Sequence, residues 1–166
     1  MLQFGFMDLE YIYDKPSLLN IKGSLILSGK GVCQFAPGLI LFIGENAYMK
    51  IGDNFTVSHD TKIYIKDKLI VGDDNMWSYY NVIMDNDGHT IYDNDGILVN
   101  SNKPVVFGNH VWMGCGCKIL KGTCIADNNV IASGSIINTQ YSANNCIITS
   151  KNKIIRRNII WDRTLI

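Results

Sequence analysis

The chain has 166 residues, 47% of them hydrophobic, and its 15 Lys plus Arg are balanced by 15 Asp plus Glu. That length and apolar content support one domain around one core, and a net charge of zero with no basic run longer than Arg156-Arg157 makes nucleic acid a poor partner. No apolar run reaches the length of a membrane span and no basic segment precedes an apolar one at the start, so a cytoplasmic protein is expected.

Ile is used 24 times, against 2 Glu and 5 Ala, so β-branched stiffness dominates and good helix formers are scarce. The 17 Asn and 15 Gly suit frequent tight corners. Five cysteines without a CxxC pair read as reduced thiols used for packing.

Residues 1–20 carry aromatics and Pro16 without a clear period and are expected to cap one end of the structure. From Ile21 a corner of the form aliphatic-Gly-acidic-polar recurs at Ile43-Gly-Glu-Asn46, Ile51-Gly-Asp-Asn54 and Val71-Gly-Asp-Asp74. A spacing of six then runs from Val71 through Trp77 to Ile83, where it stops. The interruption, 84–104, contains His89 in a polar cluster, and a long loop of this kind is usually functional or disordered. Six clean units follow, beginning Phe107, Met113, Ile119, Ile125, Ile131 and Ile137. A period of six is neither helical nor that of an ordinary strand. It is the repeat of a parallel β-helix, three units to a triangular coil, with large residues inward and small ones at the corners. After Tyr141 the period decays, and 148–166 is a basic, apolar tail that should close the second end.

The pieces Asp85-Asn-Asp-Gly-His89, Pro104-Val-Val-Phe-Gly-Asn-His-Val-Trp-Met-Gly114, Ile119-Leu-Lys-Gly122 and Ile131-Ala-Ser-Gly-Ser135 keep a common order and spacing. As a set they resemble the hexapeptide-repeat acyltransferases, in particular bacterial surface-polysaccharide sugar O-acetyltransferases and galactoside and maltose acetyltransferases. The resemblance implies a single all-β domain over 1–166, a left-handed parallel β-helix with an active-site loop at 84–104. It also implies a homotrimer that binds acetyl-CoA as acyl donor between subunits, without a metal, and acetylates a sugar or nucleotide-sugar acceptor in capsule or lipopolysaccharide synthesis. An amine acceptor on a nucleotide sugar is the alternative, because the same base serves either.

His89 falls where this family has its general base, and a histidine suits proton removal from an alcohol near neutral pH. Asp85 and Asp87 lie four and two residues before it. Either could accept the imidazole's other N–H, and either could be a solvated turn residue. By the same resemblance Gly114 and Cys115 mark the oxyanion position, where a backbone N–H would meet the tetrahedral intermediate. A thiol there also admits a covalent reading. Trp112 and Ser133 would pack near the cofactor, and Lys153 and Arg156 would reach its phosphates. The usual Gly-x-Pro-Ala-Lys turn is replaced by Thr149-Ser-Lys-Asn-Lys153, which alters the adenine and phosphate end. Trp77, Tyr79, Tyr80 and Asn81 are candidates for the acceptor pocket. Two other classes stay open. The three histidines, His59, His89 and His110, could serve a zinc carbonic anhydrase on the same fold, or the coil could be a silent trimeric scaffold.

Overall fold

A computed structural model describes residues 1–4, 15–151 and 153–164. It is built almost wholly of short parallel strands that fall into three sheets in strict rotation. The first face holds Leu2–Phe4, Cys33–Phe35, Phe55–Val57, Met76–Trp77, Trp112–Met113, Val130–Ile131 and Cys146–Thr149. The second runs from Leu18–Ile21 through Val82–Met84 to Ile136–Ile137, and the third from Ser24–Leu27 through Val105–Phe107 to Gln140–Tyr141. Each strand pairs with its counterpart one coil earlier and one coil later, which makes the molecule a triangular parallel β-helix. No helix among the described residues is long and apolar enough to cross a membrane.

The six-residue period works because equivalent residues stack. Leu41, Ile63, Ile83, Ile119 and Ile137 follow one another in register up the second face, all at most 1% exposed. On the first face an aromatic file fills the interior. Phe35 packs on Phe55 at 5.5 Å between ring centroids, and Phe55 meets the edge of Trp77 at 4.9 Å. Trp77 therefore belongs to the core rather than to any pocket, and Asn81, also 0% exposed, does too. The acceptor-pocket expectation is corrected for both, leaving Tyr79 and Tyr80 at the surface.

The compact fifth position of each unit is a second inward slot. Where it is polar, the turn supplies partners. Asn81 donates to the Ser78 carbonyl at 2.6 Å and accepts from the Cys117 N–H at 2.7 Å, and Asn129 does the same with Ala126 and Cys146. These two buried amides are tolerated because each is paired in this way.

The Gly-acidic corner after Ile43 joins the second face to the third, and those after Ile51 and Val71 lie on the edge between the third and first faces. There Asp53 N–H donates to Asp73, Asp73 N–H to Asn109 and Asn109 N–H to Asp127, at 2.7–2.8 Å. Each side chain thus caps the corner one coil earlier. Gly72 is required because a Cβ there would stand 2.5 Å from the Asn109 side chain and 2.6 Å from the Gly108 carbonyl.

Residues 1–20 supply two coil strands, Leu2–Phe4 and Leu18 onward, while 5–14 of that expected cap lie outside the described residues. At the other end Cys146–Thr149 still belongs to the coil, and Lys153–Arg157 then folds back antiparallel against it. The chain next returns down the outside of the Gly-acidic edge as a strap. Trp161 stacks on His110 at 4.0 Å, its indole N–H donates to the His110 carbonyl at 3.1 Å, and Arg163 binds Asp74, Thr56, Asn54 and Asn75.

Asp74 anchors this strap through His110 at 2.5 Å and Arg163 at 2.8 Å. Partial burial pushes its carboxyl upward, but the two hydrogen bonds and the Arg163 charge outweigh that and hold it below the ordinary range. A carboxyl depressed in the folded state stabilises above its unfolded pKa of about 4 and loses that contribution as pH falls through the folded value. The Trp161 indole N–H resonance, followed by NMR, should keep its folded position at about pH 5 and move toward a solvent-exposed one as the pH is taken below about 4. A resonance indifferent to pH over that range would show that Asp74 does not anchor the strap.

Candidate active site

The edge between the first and second faces carries a single file of residues in the same corner position of successive coils: His59, Tyr79, Cys115 and Ser133. Their carbonyls accept from the next coil, Tyr80 N–H to His59 at 3.1 Å, Gly116 N–H to Tyr79 at 3.0 Å and Gly134 N–H to Cys115 at 2.8 Å. Among the described residues, the N–H groups of Cys115 and Ser133 have no acceptor within the chain. Cys115 is half-buried and Ser133 exposed, so both donors are open to a bound molecule. Gly114 makes this close stacking possible, since a Cβ on it would lie 2.6 Å from Ser133 Oγ and 2.7 Å from its nitrogen.

Trp112 stands at the start of this stretch, 37% exposed on the outer surface of the first face, with Trp161 of the strap 6.0 Å away. The Cys115 thiol beside the Tyr79 phenol raises the phenol's pKa. Two further thiols are buried, Cys117 two residues on and Cys33 three coils away on the first face. Burial pushes Cys117 up, and Cys33 up to about 12. Lys153 and Arg156 lie exposed on the final antiparallel strand, which pairs with Cys146–Thr149, itself one coil beyond Val130–Ile131.

His89 is elsewhere. Its loop leaves the second face after Met84 and rejoins the third at Val105, so it projects from a different edge of the prism. The loop is a hairpin in outline, with Tyr92 bridged to Leu98 and a turn closed by Gly96 N–H on the Asp93 carbonyl at 3.1 Å. It borders an open cleft of about 360 Å³ lined by Lys66, Asp87, Gly88, His89, Leu98 and Asn100. The His89 side chain is exposed, and among the described residues nothing hydrogen-bonds to its ring.

Neither expected carboxylate orients that ring within the chain. Asp85 is 0% exposed and faces back into the coil. Its oxygens accept from the N–H groups of Lys66, Asp67 and Lys68 at 2.7–2.8 Å and from the Asn86 amide at 2.9 Å. Its own carbonyl takes the Lys103 N–H at 3.0 Å, so both ends of the loop are tied at this residue. Asp85 is thus a structural anchor of the loop, a correction to its expected place beside the imidazole. Asp87 is exposed and bound by Lys121 and, at 3.0 Å, by Asn100, two hydrogen bonds that hold its carboxyl below the usual range.

Asn100 is the residue that sequence reading missed. Its amide joins Asp87 to the His89 carbonyl at 2.8 Å, and its oxygen accepts the Ile91 N–H at 2.7 Å. Lys121 and Lys66 add bonds to the Asn100 and Gly88 carbonyls at 3.0 and 3.1 Å. No local pattern marks these three, because their partners come from across the loop. The structure therefore brings Gly114, Cys115 and Ser133 together on one edge, with Trp112 on the adjoining first face, and His89 with Asp87 on another. The three histidines stand on three different edges.

No family model matches the chain. It is 32% identical over 154 residues to the Saccharomyces cerevisiae protein YJL218W, an acetyltransferase by name alone, covering 89% of this chain and 76% of that one. It is 34% identical over 110 residues to the polysialic acid O-acetyltransferase of Neisseria meningitidis, covering 61% of this chain and 51% of that protein, so the match spans only about half of the Neisseria protein. Among solved structures, a mutant of AntD, an N-acyltransferase from Bacillus cereus, in complex with dTDP and coenzyme A, superposes with a TM-score of 0.70 over 94% of this chain and 82% of that one. At 14% identity this is a likeness of fold.

Proposed function

Because the chain belongs to the hexapeptide-repeat, left-handed β-helix acyltransferases and is an enzyme of acyl transfer, we propose that it moves an acetyl group from acetyl-CoA to a hydroxyl of a sugar. His89 is the general base. It takes the proton of the acceptor hydroxyl as the oxygen attacks the thioester carbonyl. The carbonyl oxygen, becoming negative, is met by the Cys115 N–H, and the thiolate of CoA leaves with a proton. Asp87 and Asn100 position the base through the loop rather than by touching its ring.

The observation that carries this reading is the pair of unengaged N–H groups at Cys115 and Ser133, one coil apart on an exposed edge. An extended acyl-pantetheine arm presents carbonyls that such donors recognise, and Trp112 offers an apolar surface beside them. Lys153 and Arg156 extend the same end of the coil with positive charge suited to phosphates. A serine hydroxyl or thiol nucleophile is unnecessary, since only the N–H of Cys115 is required.

The base and the N–H donors lie on different edges, so one chain alone does not assemble them. A homotrimer completes each site by setting the His89 loop of one subunit against the Cys115 edge of its neighbour. Native mass spectrometry with and without acetyl-CoA tests both points together. The expected species is a trimer that takes up one acetyl-CoA per subunit. A monomer that binds and turns over acetyl-CoA, or a trimer that ignores it, would sink the proposal. The names of the relatives support acetyl as the acyl group and a surface polysaccharide or its precursor as the acceptor.

A further inference from the structure

The edge that carries Cys115 also carries a cluster of rings the reaction above does not use. Tyr80 has φ +60°, in the left-handed region, which is disfavoured for residues bulkier than Gly, Asn or Asp. The corresponding corners of neighbouring coils are Asp60, Gly116 and Gly134, residue types that accept this conformation. Tyr80 returns nothing to the core, being 55% exposed. Backbone strain held by an exposed aromatic points to a role outside folding.

Its neighbours explain that role. The rings of His59 and Tyr79 stack in parallel at 5.0 Å, and Tyr80 stands edge-on to them at 5.2 and 5.4 Å. Tyr79 is itself 42% exposed. The three rings make an aromatic corner, one flat wall and one upright, with two phenol groups at its rim. It lies in the same file as Cys115, Tyr79 being one coil away, about 5 Å along the axis. Ser133 occupies the opposite side of Cys115. The edge thus reads in order Ser133, Cys115, Tyr79, His59, which places donor arm, transfer point and ring cluster in a line.

We propose that His59, Tyr79 and Tyr80 form the acceptor subsite and hold a pyranose ring by its apolar C–H face, with the phenols hydrogen-bonding its hydroxyls. This rests on the acyl-transfer reading and names what that reading leaves open. A hydroxyl that attacks a carbonyl at Cys115 must stand about 3 Å from it, and the six-membered ring bearing that hydroxyl then falls over Tyr79 and Tyr80.

The test is acetyl transfer to methyl β-galactopyranoside, methyl β-glucopyranoside and polysialic acid, read as CoA release, by the full chain and by Tyr80→Gly. Acetyl-CoA binding and thermal melting are measured in parallel. Tyr80→Gly should raise the acceptor KM about tenfold, leave acetyl-CoA affinity unchanged, and raise Tm by a few degrees as strain is relieved. An unchanged acceptor KM overturns the subsite, and a raised KM with a lowered Tm makes the rings a structural brace and overturns it as well. A chain that binds acetyl-CoA but acetylates none of the three probes overturns the sugar subsite while leaving acyl transfer standing. A chain that does not bind acetyl-CoA takes down both.

Discussion

Replacing His89 by alanine should lower the rate of acetyl transfer by about 10²–10⁴ while leaving subunit assembly and melting unchanged. The rate falls because an alcohol is a weak nucleophile while it keeps its proton, and among the described residues no other titratable ring lines the same cleft. Stability is spared because the side chain is exposed and, among the described residues, nothing hydrogen-bonds to its ring. Exposed substitutions away from caps and cores stay within about 0.5 kcal/mol. Initial rates with saturating acetyl-CoA, set beside a thermal melt, separate the two effects. Cys115→Ala belongs in the same assay and should keep most of the activity, because alanine retains the backbone N–H. A Cys115→Ala protein that folds, assembles and is dead would instead assign a covalent acyl-thiol. A His89→Ala protein within a few-fold of the parent rate would move the base elsewhere, with His59 next in line.

Most of the fold was legible in the chain. The large residues Phe107, Met113, Ile119, Ile125, Ile131 and Ile137 all point inward at 1% exposure or less, because a period of six leaves each of them only one stacking partner above and one below. The Gly-acidic corners were legible too, though their cause was not, since the acceptor for each corner N–H comes from the following coil. What stayed hidden depends on direction or on long separation. Proximity along the chain suggested Asp85 beside His89, yet a carboxylate four residues from a histidine in a loop can face either way. The backbone N–H groups at the Lys66 corner decide it. The strap was unreadable because Trp161 and Arg163 bond to groups 51 and 89 residues away. Tyr80 was a candidate for the acceptor pocket from its position, but the left-handed φ that sets it apart from its neighbours was not legible in the sequence.

Asp85→Ala should destabilise the chain by about 3–5 kcal/mol and also lower activity, and the pairing of those two effects distinguishes it from His89→Ala. Its carboxylate, wholly buried, is the acceptor for three consecutive N–H groups at the Lys66 corner. Alanine would leave those donors without their acceptor, and each such group costs about 1–3 kcal/mol where the coil shields it from water. Asp85→Asn keeps the shape but turns an N–H₂ toward donors, so it should fall between alanine and the parent. The loop would loosen with the corner, because the Asp85 carbonyl also holds Lys103 and Asn86 turns the chain toward Gly88. Urea unfolding gives the stability change and initial rates give the catalytic one. If Asp85→Ala unfolds at the same urea concentration as the parent yet loses as much activity as His89→Ala, the carboxylate acts on the imidazole directly and the anchoring account fails. If both fall together, and low temperature restores part of the rate by restoring the fold, the loop is held for catalysis by a residue that never touches the reacting atoms.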